Sequence, residues 1–514
     1  MRRALVIALL AVLALPASAV ASPGNAKRAR AGLAAAVEKQ RLTEAEARRY
    51  RAAVARARSL ERRLPAARAE VLGAVLAQVA RYRGRYTSPR ALTLFSMLEA
   101  NADYLAANPV PPGGRDVEGP DGVVYRAFAG RGLQFHPLAN AARLNAHVSA
   151  GRAEEAGRLA HALLERGVSR LRGTAWEYWF DYGAARAPWT SGMAQAVMAQ
   201  AFARAGDLGA ARSAFLPVPR LTMWLADGPW VNLYEGWRLV VLNAQLQTAV
   251  SVAEYAGLAG DAQADAFAAR LRSSATALLP FFDTGYWSNY SLSSESTLGY
   301  QRYVVTLLRR LKRDTGEEHW GEAAGRFEAY EREAPLLRAG PAVATLYPVP
   351  RDGHRDAAAV RFWISKISDV TLVVGGKWRR TIRASKGWHT LTWTVPATLP
   401  PGSHRVWLVA RGLAGNLGRV DLPEVVVARD TEPPEVSAAV GGGRLHWRGK
   451  DEGSGRLRLV LQLRGGGRTA RLDLGLRPLN GAWRLRLPKG RWWAVLVARD
   501  MSGNETSVPL GRVA

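Results

Sequence analysis

Arg204-Ala205-Gly206-Asp207-Leu208-Gly209-Ala210-Ala211-Arg212 decides how this chain is read. An alanine-rich run stops at a glycine, an aspartate follows at once, and a second alanine-rich run begins. Glycine at a helix C-terminus supplies the positive φ that other residues avoid, and an acid at the next N-terminus answers the helix dipole. The same signature surrounds Gly151 (SAGRAEEAG), Gly260 (LAGDAQADA) and Gly316 (DTGEEHWGEAAG), which spaces the turns 55, 54 and 56 residues apart. A period of this length marks stacked helix pairs burying a shared core. Between the pairs lie the aromatic connections 172–190, 217–237 and 280–300. The pattern predicts an (α/α) toroid whose inter-pair loops gather at one mouth, with an open solenoid as the alternative.

The flanks read differently. Residues 22–110 predict helices: Thr43 and Glu46 fit a capping box, the helix they open breaks near Pro65, a second runs to about Arg83, and a third covers 92–107. The Pro/Gly-rich segment 109–122 is a loop, and 123–128 reads as a short strand. After Arg338 the texture alternates, with strands predicted at 359–364 and 370–374. HRVWLVARGLAGN (404–416) has a counterpart in RWWAVLVARDMSGN (491–504), so two tandem β-sandwiches are expected, divided near Asp430-Thr431-Glu432-Pro433-Pro434. This part resembles bacterial immunoglobulin-like modules, whose usual role is spacing or attachment. The fold class expected is thus multidomain: a helical N-terminal region (22–110), a mainly α (α/α) toroid (111–338) and two all-β Ig-like sandwiches (339–429 and 430–514).

The N-terminus reads as a secretory signal over 1–21, with Arg2 and Arg3 before an apolar run and small residues at Ala17-Ser18-Ala19 and Ala19-Val20-Ala21. A secreted or cell-envelope location in a bacterium follows, with no stable membrane insertion once the signal is removed. The chain has no cysteine, which excludes disulfides, thiolate metal sites and a Cys nucleophile. Net charge is +28, from 71 basic and 43 acidic residues, and all but 8 of the basic ones are Arg. An Arg excess suits an acidic polysaccharide, while a compositional Arg/Ala bias is the simpler explanation of it. No dense basic tract interleaved with aromatics appears, so no nucleic-acid partner is expected. A homodimer is left open.

No GxxxxGK[ST] loop, HExxH helix or GxSxG elbow is present, and the 8 His residues never fall at metal-ligand spacing. No cofactor and no metal are therefore expected. What remains is the toroid's mouth. Trp176–Gln195 packs six aromatic residues and two acids into twenty positions. Flat aromatic faces beside a few polar groups suit a sugar ring, although they also suit an ordinary core. The candidates are Gln134 and His136; Glu177, Asp181, Tyr182 and Arg186; Trp230 and Tyr234; and Asp283, Tyr290 and Tyr300. The plainer readings place His136 as a helix cap and Asp283-Thr284-Gly285 as a turn.

Four blocks carry a family resemblance: GRGLQFHPLA (130–139), PWTSGMAQAVMAQAFARA (188–205), WVNLYEGWRLVVLNAQ (230–245) and LLPFFDTGYWSNYSL with YQRYVVTLL (278–308). Over roughly 130–335 the chain resembles the C-terminal catalytic domain of D-glucuronyl C5-epimerases, which invert C5 of glucuronate in heparosan-type polymers. The resemblance implies proton abstraction beside a carboxylate and reprotonation from the opposite face, with tyrosines as acid and base. Here these fall at Tyr234, Tyr290 and Tyr300. Gln134, His136, Tyr182, Arg186, Trp189, Gln195, Trp230 and Asn243 are the implied substrate contacts, and an acidic polysaccharide is the implied partner.

The chain also departs from the family. The acid before the first tyrosine is Leu233, its following proline is Glu235, the Arg after the second tyrosine is Ser293, and two histidines of the last block are Gln301 and Val304. The tyrosines stay while their electrostatic partners change. Three functions remain: an exported uronate-polymer epimerase, a non-catalytic glycan-binding envelope protein on the same toroid, and a uronate lyase or a hydrolase.

Overall fold

The computed structural model describes residues 24–225, 228–340 and 345–514. The signal-like segment 1–21 lies outside them. Two compact units divide at Tyr330/Glu331.

The first unit is helical. Helices α1 (Gly24–Glu38), α2 (Glu44–Glu61), α3 (Ala66–Arg81) and α4 (Ser88–Ala107) precede three short antiparallel strands, Asp116–Glu118, Val124–Phe128 and Gly132–Phe135. Thr43 and Glu46 close the expected capping box at the start of α2: the Glu46 amide donates to Thr43 Oγ1 and the Thr43 amide donates to the Glu46 carboxylate. Four helix pairs follow: α5 (Pro137–Ser149) with α6 (Ala153–Leu164), α7 (Gly192–Arg204) with α8 (Leu208–Phe215), α9 (Leu242–Ala259) with α10 (Ala262–Phe282), and α11 (Leu298–Thr315) with α12 (Glu318–Arg332).

Each pair turns at its predicted glycine. φ is +69° at Gly151, +87° at Gly206, +64° at Gly260 and +78° at Gly316, a region closed to most side chains. Asp207 and Asp261 cap the outer helices by accepting from Ala210 and Ala264 amides. Helices α5, α7, α9 and α11 pack side by side in chain order. α7 and α9 are buried on nearly every face, as inner helices are, while α6 and α12 each keep a solvent face.

One hydrophobic core runs without a break from Ala26 to Leu271. The division expected near residue 110 is therefore not a domain boundary, because the four leading helices share the core of the first three pairs.

The second unit holds the two sandwiches. In the first, strands Leu337–Ala339, Ala357–Ile364 and Gly387–Thr394 face a five-stranded sheet ordered Thr345–Leu346, Leu417–Val427, Gly402–Gly412, Ser368–Val374 and Trp378–Ala384. In the second, Glu435–Gly441, Arg444–Lys450 and Asn480–Arg484 face Arg468–Pro478, Arg456–Gly465, Trp492–Arg499 and Glu505–Val513. Period-2 burial drives both: Phe362, Ile364, Leu372 and Leu408 fill one core, and Leu445, Leu459, Leu461 and Leu496 the other. The duplicated segments form matching inner strands, Gly402–Gly412 and Trp492–Arg499. The first sandwich begins before the expected residue 339, because Leu337–Ala339 already pairs with Ala357–Ile364.

Candidate functional site

The fourth residue of every inner helix is an amide, and these four amides position the loops. Asn140 accepts from the Val124 amide at 2.7 Å and donates to its carbonyl at 2.8 Å. Gln195 accepts from Trp176 N at 3.0 Å and donates to Thr174 O and Ala214 O. Gln245 accepts from Val231 N at 2.8 Å and donates to Pro229 O and Leu271 O. Gln301 accepts from Ser288 N at 3.0 Å and donates to Phe327 O. Each glutamine thereby ties an inner helix to the incoming segment and to the outer helix of its own pair. All four amides are fully or almost fully buried, so their bonds are worth most where water cannot replace them. Gln195, expected to touch substrate, spends its amide on this brace.

The braced loops deliver tyrosines to one place. The ring centroids of Tyr182 and Tyr234 are 5.1 Å apart, and those of Tyr290 and Tyr300 4.8 Å. The hydroxyl of Tyr234 lies within hydrogen-bonding reach of those of Tyr182 and Tyr290. The three tyrosines implied as catalytic thus converge, joined by Tyr182 from the preceding loop. Trp237 stacks on Tyr234 with centroids 5.2 Å apart, and Trp189 meets it edge-on at 5.5 Å. A small aromatic cavity adjoins the cluster, lined by Phe128, His136, Phe180, Tyr182, Trp189 and Tyr234 among others.

Burial dominates the electrostatics. It pushes the Tyr290 phenol up to about 12 and holds Tyr234 and Tyr300 well above the ordinary phenol range, and the neighbouring tyrosines add to both. Arg126 is the cation that favours a Tyr300 phenolate, but its guanidinium is already bound bidentately by Asp116 at 2.7 and 2.8 Å. Glu235, the acid nearest the family's missing one, is held by Arg170 and by the Thr190 amide. Glu177 is buried and gripped bidentately by Arg90 at 2.8 and 2.9 Å. These acids order the scaffold and leave the phenols protonated.

Other expected contacts take structural places. Trp189 stacks on Tyr178 at 4.1 Å with 5° between planes, so that ring face is closed to a sugar. Trp230 is wholly buried against Phe282. Gln134 is buried and exchanges hydrogen bonds with Gln78. The 176–189 aromatics back the tyrosines as core, and of them Tyr182 and the edge of Trp189 reach the cluster. His136 caps α5, its Nδ1 accepting from Ala139 N at 3.1 Å, and burial holds its pKa well below the usual imidazole value. Its proton therefore sits on Nε2, which can donate to a ligand but cannot act as a base. Asn243 is buried at the start of α9, and its Oδ1 has no hydrogen-bond partner. Arg186 is exposed and donates to Gly183 O. Asp283 anchors the turn by accepting from Gly285 N and Tyr330 Oη.

Histidine spacing, on which the expectation of no metal rests, is blind to one grouping in the second unit. Among the described residues, Asp430, Asp451 and Asp500 bring carboxylate oxygens within 4.8 Å of one another.

No family model matches the chain, and no curated protein matches it. Solved structures resemble part of it. The fibronectin(III)-like modules of Clostridium thermocellum CbhA are 14% identical over 34% of this chain and 93% of theirs, with a TM-score of 0.17. A 1.5-MDa bacterial ice-binding adhesin is 13% identical over 35% of this chain and 65% of its own, with a TM-score of 0.19. A Ca2+-stabilized adhesin from an Antarctic bacterium is 14% identical over 34% of this chain and 47% of its own, also with a TM-score of 0.19. Among the described residues, no helix is long and apolar enough to cross a membrane.

Proposed function

We propose that the protein is an exported polysaccharide-acting epimerase that inverts C5 of uronate units in an acidic polymer, on an (α/α) toroid built by the four helix pairs. The observation that carries this reading is the meeting of Tyr234, from the 217–237 connection, with Tyr290 and Tyr300, both from the 280–300 connection. A C5 proton beside a carboxylate is weakly acidic, so one group must accept it and another must return a proton from the opposite face. Tyr290 is assigned as the base because its phenol is the least shifted of the three, and Tyr300 as the donor. Protonated phenols around the developing enolate supply hydrogen bonds in a site largely closed to water.

This assignment sets a pH dependence. With Tyr290 near 12, about one site in ten thousand carries the phenolate at pH 8. The rate then climbs about tenfold per pH unit until near pH 11. A second reading, a glycan-binding protein without catalysis, is favoured by the same raised phenols and by the pairing of Glu235 with Arg170. Incubation with glucuronate-rich polymers separates the readings. Epimerisation yields the C5 epimer without shortening the chain, a lyase yields unsaturated ends, and binding alone yields neither product.

A further inference from the structure

The outer face of the three-stranded sheet in the first sandwich is neither apolar nor evenly polar. Trp363 and Trp388 stand directly opposite each other across strands Ala357–Ile364 and Gly387–Thr394, and Arg338 stands opposite Trp363 on the third strand. The Arg338 guanidinium lies 5.3 Å from the Trp363 ring centroid, and that of Arg361 lies 4.9 Å from Trp388. Trp388 nevertheless keeps 55% of its surface open. Thr390 and Thr392 continue the exposed row along the same strand. The inner face of these strands is spent on the core through Val360, Phe362, Leu391 and Trp393, so the tryptophans outside are not needed to fill it.

Basic residues outnumber acidic ones in the second unit. Residues 371–420 contain eight Lys and Arg and no Asp or Glu. Residues 331–514 as a whole carry 30 basic and 15 acidic residues. Indole rings accept the C–H face of a pyranose, guanidinium forks bind carboxylates bidentately, and hydroxyls match the sugar's remaining groups. We infer that this face binds an extended anionic polysaccharide, with Trp388 as the stacking platform and Arg361 and Arg338 as carboxylate contacts. The site belongs to the sandwich and stands whether or not the tyrosine cluster catalyses anything; it deepens the proposed function by giving the module a hold on the same class of polymer.

Affinity electrophoresis of the full chain in gels containing alginate, polygalacturonate or neutral dextran tests this. The expected result is retardation by both anionic polymers and none by dextran, weakening as salt rises. Trp388→Ala and Arg361→Gln should each weaken binding at least tenfold, and Trp388→Phe should retain most of it. Thermal unfolding of each variant must match the parent, and Arg361→Gln carries the test if Trp388→Ala does not fold. Equal retardation by dextran, unchanged binding in a folded Trp388→Ala/Arg361→Gln double variant, or binding to double-stranded DNA as tight as to alginate would each overturn the inference. C5 chemistry is not read in this assay, so its outcome does not depend on the epimerase reading.

Discussion

Replacing Gln245 by leucine removes one brace while keeping the side chain's bulk. The amide is fully buried and serves three backbone groups: the Val231 amide at 2.8 Å and the Pro229 and Leu271 carbonyls at 3.0 and 2.9 Å. Leu271 sits inside α10, where its carbonyl also serves the helix, so its loss is small. The Val231 N–H and Pro229 C=O lose the brace inside the core, at about 1–3 kcal/mol each. Leucine burial returns part of this, leaving a net loss of about 2–4 kcal/mol. Urea unfolding of the full chain, followed by helical ellipticity so that the β unit contributes little, reads the change. Because strand Gly228–Val231 leads directly to Tyr234, the same variant should weaken any activity of the cluster more than it weakens the fold. A loss below about 0.5 kcal/mol with wild-type m-value would refute the brace as the device that positions the loops.

Other perturbations probe the site and the second unit. Gly183 has φ +54°, and a Cβ there would meet Trp237 at 2.3 Å; Gly183→Ala should displace that ring from Tyr234 and cost about 1–3 kcal/mol in thermal unfolding. Tyr290→Phe should abolish the tenfold-per-unit rise of rate with pH, measured as initial C5 inversion between pH 7 and 10. Asp451 is pushed up to about 6 by burial and by Asp430 and Asp500, so its neutral form is favoured in the fold. Stability of the second unit should be full near pH 4 and fall as pH rises through about 6, by no more than about 1 kcal/mol after allowance for its half-exposed position. Asp451→Asn, which can still accept from the Ser454 and Gly453 amides, should flatten that fall in a calorimetric pH series.

The helix pairs were legible because glycine φ and aspartate caps are local, and Gly206-Asp207 and Gly260-Asp261 behave as such signals require. The sandwich strands were legible from their period-2 burial. The role of Trp189 was not legible, because a ring that holds sugar and a ring that stacks on Tyr178 look alike in sequence. The brace has a sequence signal: glutamines recur at 195, 245 and 301, each the fourth residue of an inner helix. Reading Gln195 alone suggested a ligand contact, whereas reading it with Gln245 and Gln301 gives a scaffold. The domain boundary near 110 was misplaced for a related reason, since a Pro/Gly-rich loop says nothing about whether the core continues beneath it.

Deuterium incorporation at C5 of glucuronate in a heparosan-type polymer, read by NMR after incubation with the full chain in deuterium oxide at pH 9, tests the central claim most directly. The tyrosine account predicts exchange without loss of polymer length, and its abolition in Tyr290→Phe and Tyr300→Phe variants that unfold like the parent. Exchange that persists in both variants, or its absence with every uronate polymer offered, would contradict it.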